Sequence, residues 1–170
     1  MNEPKTSVLF VCLGNICRSP LAEGVFRHLV RERGVATAYR IDSAGTGSWH
    51  VGEPPDRRSA EVARRRGVIL EGAARQVSAQ DFDRFDWIIA MDRENLSNLR
   101  AMQRKGTRAR LHLLRDFDPE PGDGDVPDPY YGGPDGFENV YALVERSSQA
   151  LLDHIEGEER RGDDDSAEQR

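Results

Sequence analysis

Residues 11–20 read VCLGNICRSP and join an apolar run to the start of a helix. The β-forming residues from Ser7 to Val11 predict a buried strand. The amphipathic pattern from Pro20 to Arg33 predicts a helix, because proline is well suited to the first helical position. The loop from Cys12 to Ser19 therefore connects a strand to a helix, as in sheets whose strands run parallel.

This phosphate loop, Cys12 to Ser19, has the residue types of a phosphate-cleaving site. Small residues around Gly14 and Asn15 allow successive backbone N–H groups to turn inward, and the helix N-terminus adds partial positive charge. The same field stabilises a thiolate, so we predict Cys12 as a nucleophile and Arg18 as a bidentate phosphate clamp. Ser19 is predicted to cap the helix and to donate a hydrogen bond to the Cys12 sulfur.

Two other interpretations of this loop explain less. A small buried cysteine at a strand end needs neither an arginine six residues later nor a Gly-Asn pair. A nucleotide-binding Walker A loop would end in Gly-Lys-Ser/Thr, which is missing here.

Strands and helices alternate along the rest of the chain. Three more strands are predicted, over Tyr39 to Ser43, Trp87 to Met91 and Leu111 to Leu114. Further helices are predicted over Pro55 to Arg66, from Ser78 to Asp81 onward, over Arg93 to Lys105 and over Phe137 to Ile155. The predicted fold is α/β, a single-domain doubly wound four-stranded parallel sheet with helices on both faces and the phosphate loop after strand 1.

Composition limits the domain organisation and the cellular setting. The chain of 170 residues fits one domain, predicted at residues 1–156, and the polar residues 157–170 predict a disordered acidic tail. No signal-peptide pattern is present, and no apolar run approaches the ~20 residues of a membrane span. With two cysteines and no disulfide framework, we expect a cytoplasmic protein.

Charge and histidine placement argue against two kinds of partner. The net charge is -6 and no basic stripe is present, so nucleic acid is not expected as a partner. The histidines have no acidic or cysteine partners at ligand spacing, so no metal site and no cofactor are expected; they are His28, His50, His112 and His154.

Two separated motifs in the same order resemble the low-molecular-weight protein tyrosine phosphatase family. They are Val8 to Pro20 and the segment Asp128-Pro129-Tyr130-Tyr131. The similarity runs from Ser7 to Ile155 and includes residues 42–46, 74–77 and 90–92. The resemblance implies Cys12 as nucleophile, Arg18 as phosphate clamp and Asp128 as general acid, with a phosphocysteine intermediate. It also implies a substrate- and phosphate-binding set: Leu13, Gly14, Asn15, Ile16, Cys17, Ser19, Trp49, Tyr130 and Tyr131.

A proton donor is needed because a phenolate is a poor leaving group. Like-charge repulsion beside a bound phosphate would keep Asp128 protonated. The spacing of the sequence cannot choose among the loop's carboxylates, and Asp128 is favoured by the family motif. Its rivals, each also explained as a turn former or a solvated charge, are Asp116, Asp118, Glu120, Asp123 and Asp125.

The substrate class follows from the predicted pocket walls. Trp49, Tyr130 and Tyr131 are loop aromatics that, in the resembled family, flank the phenyl ring of phosphotyrosine, although partial core packing would also explain them. If these aromatics form a deep slot, the shorter side chain of phosphoserine could not bring its phosphate to Cys12. Family members that act on phosphoarginine carry threonine where this chain has Ile16, which favours phosphotyrosine.

The sequence allows two interpretations each for Cys17 and for the residues that brace the phosphate loop. Cys17 is either a redox partner that protects Cys12 through a disulfide, as in the resembled family, or a packing residue. The family commonly places a histidine ahead of the Ala74-Arg75 pair to brace Asn15 and Ser19, but this chain has Gly72, so the brace is weaker or is rebuilt through Ser43 or a water. Asp92 is expected to cap the helix that follows it.

Two rival functions use related chemistry. Arsenate reductases of this fold need further downstream cysteines, which the chain lacks after Cys17. A phosphotyrosine-binding module without turnover would be expected to lose Cys12 or Asp128. The resemblance implies phosphotyrosine proteins as partners, with a bacterial tyrosine kinase among the candidates, and leaves the oligomeric state undefined.

Overall fold

A computed structural model describes residues 4–129 and 135–168. Four parallel strands form one sheet in the order β2-β1-β3-β4: β1 Thr6–Cys12, β2 Tyr39–Gly45, β3 Trp87–Ala90 and β4 Arg110–Leu113. The main helices are α1 Arg18–Glu32, α2 Arg57–Arg65, α3 Asp81–Arg84, α4 Arg93–Met102 and α5 Gly136–Glu168. The four predicted strands are all present, and the α/β fold class is confirmed.

The strand β1 lies at the centre of the sheet and is buried along its whole length. Because side chains alternate along a strand, Val8 and Phe10 face one core while Leu9 and Val11 face the other. The first core also contains residues of α1, α2 and α5, and the second contains residues of α3 and α4. Helices therefore cover both faces of the sheet. The loop that follows β1 lies at the edge formed by the carboxyl ends of the strands.

Local signals explain where two helices begin and end. The α2 helix begins at Arg57 because the Asp56 side chain accepts a hydrogen bond from the Arg58 backbone at 2.8 Å. It ends before Gly67, whose φ of 78° suits glycine. The α4 helix ends at Met102, three residues before the predicted Lys105, because Gln103 is already extended.

The last helix extends beyond the sequence prediction. We expected it to end at Ile155 and the chain from residue 157 to be disordered, whereas α5 continues to Glu168. Polar contacts to the sheet hold its continuation: Tyr39 donates to Glu156 at 2.9 Å and Arg110 pairs with Glu158 at 2.7 Å. The run Glu158-Glu159-Arg160-Arg161 consists of residues with good helix propensity, so a polar composition does not by itself end a helix. No helix of the described residues is long and apolar enough to cross a membrane.

Candidate active site

The phosphate loop turns sharply between β1 and α1. Asn15 has a left-handed φ of 57°, and its backbone N–H donates to Cys12 Sγ at 3.3 Å. The carbonyls of Cys12 and Leu13 accept from Thr46 and Gly47, each at 2.9 Å, so the segment after β2 supports the loop from one side. Gly45 permits this approach, since a Cβ there would lie 2.7 Å from the Leu13 carbonyl oxygen.

Cys12 and Ser19 are buried neighbours. The Ser19 hydroxyl lies 3.0 Å from Cys12 Sγ and accepts from Asn15 Nδ2 at 2.8 Å. Its other acceptor, the Ala44 carbonyl, is farther away at 3.4 Å. The hydroxyl is thus placed to donate to a thiolate. The prediction that Ser19 caps α1 is wrong, because Cys17 occupies the N-cap and Ser19 lies within the first turn.

A chain of buried polar groups braces the loop from behind. Asn15 Nδ2 donates to Ser43 Oγ at 3.0 Å, and Ser43 donates to Glu23 Oε1 at 2.5 Å. The Arg75 backbone N–H donates to Asn15 Oδ1 at 3.0 Å and fixes the orientation of the amide. The brace across from Gly72 therefore runs through Ser43, one of the two routes considered from the sequence.

Sequence reasoning missed Glu23 and Arg75 in this brace. Burial raises the pKa of Glu23, while hydrogen bonds from Ser43 and the pairing with Arg27 oppose the shift. The available signal was Glu23 itself, the one charged residue in the run 19–26 at the start of α1, all of which is buried.

Arg18 is buried at the first position of α1 and lies at the cleft. Its Nη1 donates to Asp92 Oδ2 at 2.7 Å and to the Val126 carbonyl at 3.0 Å. Burial alone would lower the pKa of Arg18, but the nearby Cys12 and Asp92 raise it above the ordinary value. The expected cap at Asp92 is confirmed, since its Oδ1 accepts from the Asn95 backbone at 2.8 Å. Its pairing with Arg18 was not foreseen.

One cleft of about 240 Å³ opens at the carboxyl end of β1. Cys12, Arg18 and Asp128 all line it, and its other lining residues are Leu13, Gly14, Ile16, Cys17, Trp49 and His50. The side chains of the predicted residues Asn15, Ser19 and Ser43 belong to the brace and do not line the cleft. Tyr130 and Tyr131 lie outside the described residues.

Two residues of the segment after β2 form one wall of the cleft. Trp49 is 74% exposed, and its ring lies over Gly47, where a Cβ would overlap it. His50 was not predicted; it lies against Gly14, where a Cβ would lie 2.9 Å from the imidazole, and it pairs with Glu53. An exposed aromatic at the mouth of a cleft can stack on a planar substrate group.

Cys17, at the N-cap of α1, is buried and also lines the cleft. Burial, followed by the negative charges of Asp56 and of Cys12 as thiolate, raises the pKa of Cys17 to about 12. Its thiol is therefore protonated at neutral pH. Among the described residues no group of three or more metal-ligating side chains is placed to hold an ion.

The acid loop, residues 115–129, delivers Asp128 to the cleft. Asp118 is fully buried and accepts from Arg146 at 2.8 Å and from Ser147 at 3.2 Å. Burial alone would raise its pKa, but these bonds lower the pKa of Asp118 to about 2. Of the six carboxylates considered in this loop, Asp128 is the one that lines the cleft.

Comparison with known proteins agrees with this geometry. Residues 7–161 match the family model described as low molecular weight phosphotyrosine protein phosphatase. The chain is 47% identical over 155 residues to the low molecular weight protein-tyrosine-phosphatase YfkJ of Bacillus subtilis, covering 91% of this chain and 98% of that protein.

Solved structures give the same result. The crystal structure of a protein tyrosine phosphatase from Entamoeba histolytica superposes with a TM-score of 0.86 at 37% identity, covering 91% of this chain and 99% of that one. A Drosophila arginine phosphatase superposes with a TM-score of 0.83 at 36% identity, covering 87% and 96%. The fold, the cleft and these relatives together show that the chain belongs to the low molecular weight phosphotyrosine protein phosphatase family.

Proposed function

We propose that this protein hydrolyses phosphotyrosine monoesters in proteins through a phosphocysteine intermediate on Cys12. The observation that carries the proposal is the shared cleft, in which the Cys12 thiol, the Arg18 guanidinium and the Asp128 carboxyl line one space. A nucleophile, an anion clamp and a proton donor are the groups that this reaction needs.

In the first step, the Cys12 thiolate attacks phosphorus in line with the ester oxygen. The P–O bond to the phenol breaks as an S–P bond forms, and Asp128 transfers its proton to the departing oxygen. Arg18 and the loop N–H groups bind the equatorial oxygens, where negative charge develops. Asp92 holds Arg18 in place through the 2.7 Å bond to Nη1.

In the second step, water attacks phosphorus and Asp128 accepts its proton. The S–P bond breaks, which releases inorganic phosphate and regenerates the thiolate. The Ser19 hydroxyl, 3.0 Å from Sγ, stabilises the sulfur as it leaves with negative charge. The same hydrogen bond therefore assists both steps.

The proposed substrate is an aryl phosphate carried on a protein. The exposed ring of Trp49 forms a wall of the cleft, and a phenyl ring can lie against it while the phosphate reaches the loop. A phosphoserine side chain is shorter and would not reach Cys12 from the same mouth. Ile16 lines the cleft. The family resemblance associates threonine at this position with phosphoarginine, so isoleucine supports phosphotyrosine as the substrate.

The test measures metal-free hydrolysis of a phosphotyrosine peptide by the wild type, Cys12→Ser and Asp128→Asn. Cys12→Ser should show no turnover, and Asp128→Asn should lose about 10²-fold or more. Acid-quenched wild-type mixtures should carry phosphate on Cys12 by mass spectrometry, and Cys17→Ser should retain this label. Turnover by Cys12→Ser, or a label elsewhere, would reject the mechanism. If phosphoarginine were hydrolysed faster than phosphotyrosine, the proposed substrate would be rejected. Binding of the peptide without turnover would favour a phosphotyrosine-binding module.

The cellular partners are proposed as tyrosine-phosphorylated proteins of the cytoplasm, a bacterial tyrosine kinase among them. A Cys12→Ser variant retains the clamp and the cleft, so it should hold substrates without releasing them. Proteins retained by this variant and released by inorganic phosphate would identify the substrate. A set that lacks phosphotyrosine would contradict the assignment.

A further inference from the structure

The N-terminus of α4 connects the two halves of the cleft. Asp92 caps this helix and pairs with Arg18 at 2.7 Å. Asp125 of the acid loop accepts from the backbone N–H of Arg93, the first residue of α4, at 2.9 Å. The Val126 carbonyl, one residue further along the acid loop, accepts from the same Arg18 nitrogen at 3.0 Å. The phosphate clamp and the acid loop therefore share one anchor.

Asp125 is held through both its side chain and its main chain. The Arg93 guanidinium donates to its carboxylate through Nε at 3.2 Å and Nη2 at 3.3 Å, and Arg115 Nη1 donates to its carbonyl at 2.8 Å. Burial alone would raise the pKa of Asp125, but the bonds from Arg93 outweigh it and lower the pKa. The carboxylate is thus ionised at neutral pH.

The segment that follows Asp125 is stiff. Val126 is fully buried, and its N–H donates to the Met91 carbonyl at 2.8 Å. Asp128 lies between Pro127 and Pro129. Each proline has a fixed φ and restricts the residue before it to extended conformations, so few dihedral angles between Val126 and Asp128 are free. A displacement of Asp125 that also moves Val126 is therefore passed on to Asp128.

We propose that Asp125, held by Arg93, is a positioning residue that directs the Asp128 carboxyl toward the leaving-group oxygen. The inference rests on the proposed function, in which Asp128 is the general acid. Asp125 is not one of the residues that line the cleft, so it acts by placing the acid. Its loss should therefore reduce proton delivery while leaving the nucleophile and the clamp intact.

The test compares two substrates that differ in their need for a proton. A phosphotyrosine peptide has a poor leaving group, whereas p-nitrophenyl phosphate releases a stabilised phenolate. Asp125→Ala should lower kcat/KM about 5- to 10-fold on the peptide and less than about 2-fold on p-nitrophenyl phosphate. Arg93→Gln retains the backbone N–H, so it should shift the ratio in the same direction by a smaller factor. Glu120→Ala, an exposed carboxylate of the same loop, is the matched control and should leave the ratio unchanged.

Three outcomes decide the inference. Equal losses on both substrates would mean that the Asp125 contacts only maintain the fold, and would overturn it. If Asp128→Asn shifts the ratio and Asp125→Ala does not, the positioning role fails while the proposed acid stands. If Asp128→Asn does not shift the ratio either, the acid assignment fails, and the inference fails with it. Should Asp125→Ala not fold by circular dichroism, Arg93→Gln carries the same comparison, since its exposed side chain can be removed without opening the core.

Discussion

The phosphate loop and the acid loop meet in one cleft but are held by different forces. The phosphate loop is braced from behind by buried hydroxyls and amides, from Ser19 through Asn15 to Ser43, and the brace ends at the carboxylate of Glu23. The acid loop is held by ion pairs, with Asp118 bound to Arg146 and Asp125 bound to Arg93.

This difference matches the role proposed for each loop. A thiolate and a phosphate are stabilised by N–H and O–H dipoles, which the phosphate loop and its brace supply, and by the positive charge of Arg18 in the cleft. The acid loop only has to hold a carboxyl at the right distance, which ion pairs to the partly exposed Arg93 and Arg146 can do. Salt and pH should therefore act on the acid loop before the phosphate loop.

The largest loss of activity is expected on substitution of Arg18, which lies in the phosphate loop and also bonds to the acid loop. Arg18→Lys retains a positive charge but loses the planar fork that can bind two phosphate oxygens and still reach Asp92 and Val126. We expect kcat on a phosphotyrosine peptide to fall about 10³-fold. Steady-state kinetics would measure this, with Arg31→Lys, an exposed arginine in the last turn of the same helix, as the control. A loss of less than about 10-fold would mean that charge alone suffices.

The phosphate loop brace can be broken at Asn15. Asn15→Ala removes the amide that joins Ser19, Ser43 and Arg75, and it places alanine at a left-handed φ. We expect a loss of about 3 kcal/mol in the free energy of unfolding and a 10- to 100-fold lower kcat. Asn15→Gly removes the same amide without the φ strain and should recover about 1 kcal/mol of stability but none of the activity. Activity regained by glycine would show that backbone shape, not the brace, holds the loop.

The acid loop is expected to respond to pH through Asp118. Its pKa of about 2 lies below the value of about 3.9 for an unfolded aspartate, so its stabilisation is present above about pH 4 and is lost as the pH falls toward 2. We expect about 1–2 kcal/mol, reduced from the full linkage value because Arg146 is half exposed. Urea unfolding of the wild type and Asp118→Asn at several pH values would measure this. A stability difference that stays constant from pH 7 to pH 2.5 would contradict it.

The two regions also differ in how far the sequence could predict them. The phosphate loop is contiguous, so its thiol, its arginine and its glycine follow from spacing within ten residues. The brace behind it was missed at Glu23 and Arg75, because it joins α1, β2 and the segment before α3, and such distant contacts leave only a charged residue at a buried position as a signal.

The position of the acid loop could be predicted from the sequence, but the roles of its individual carboxylates could not. Several of its acids look alike in a stretch rich in proline and glycine, and only the burial of Asp118 and the placement of Asp128 in the cleft separate them. The length of α5 was misjudged for a related reason. The polar composition predicted that the helix ends at Ile155. In the structure, Tyr39 and Arg110 contact acidic residues beyond Ile155, and the helix continues.

The smallest change in activity is expected on substitution of Cys17, the second thiol of the phosphate loop. Because burial and the charge of Asp56 raise the pKa of Cys17, little Cys17 thiolate exists at pH 7 to attack an oxidised Cys12 sulfur. After brief peroxide treatment and reduction, the wild type and Cys17→Ser should recover nearly the same activity at pH 7. The wild type should gain an advantage at pH 9, where about 100 times more thiolate is present. Strong protection by Cys17 already at pH 7 would mean that oxidation of Cys12 opens the wall around this thiol, and the phosphate loop would then be less rigid than its brace indicates.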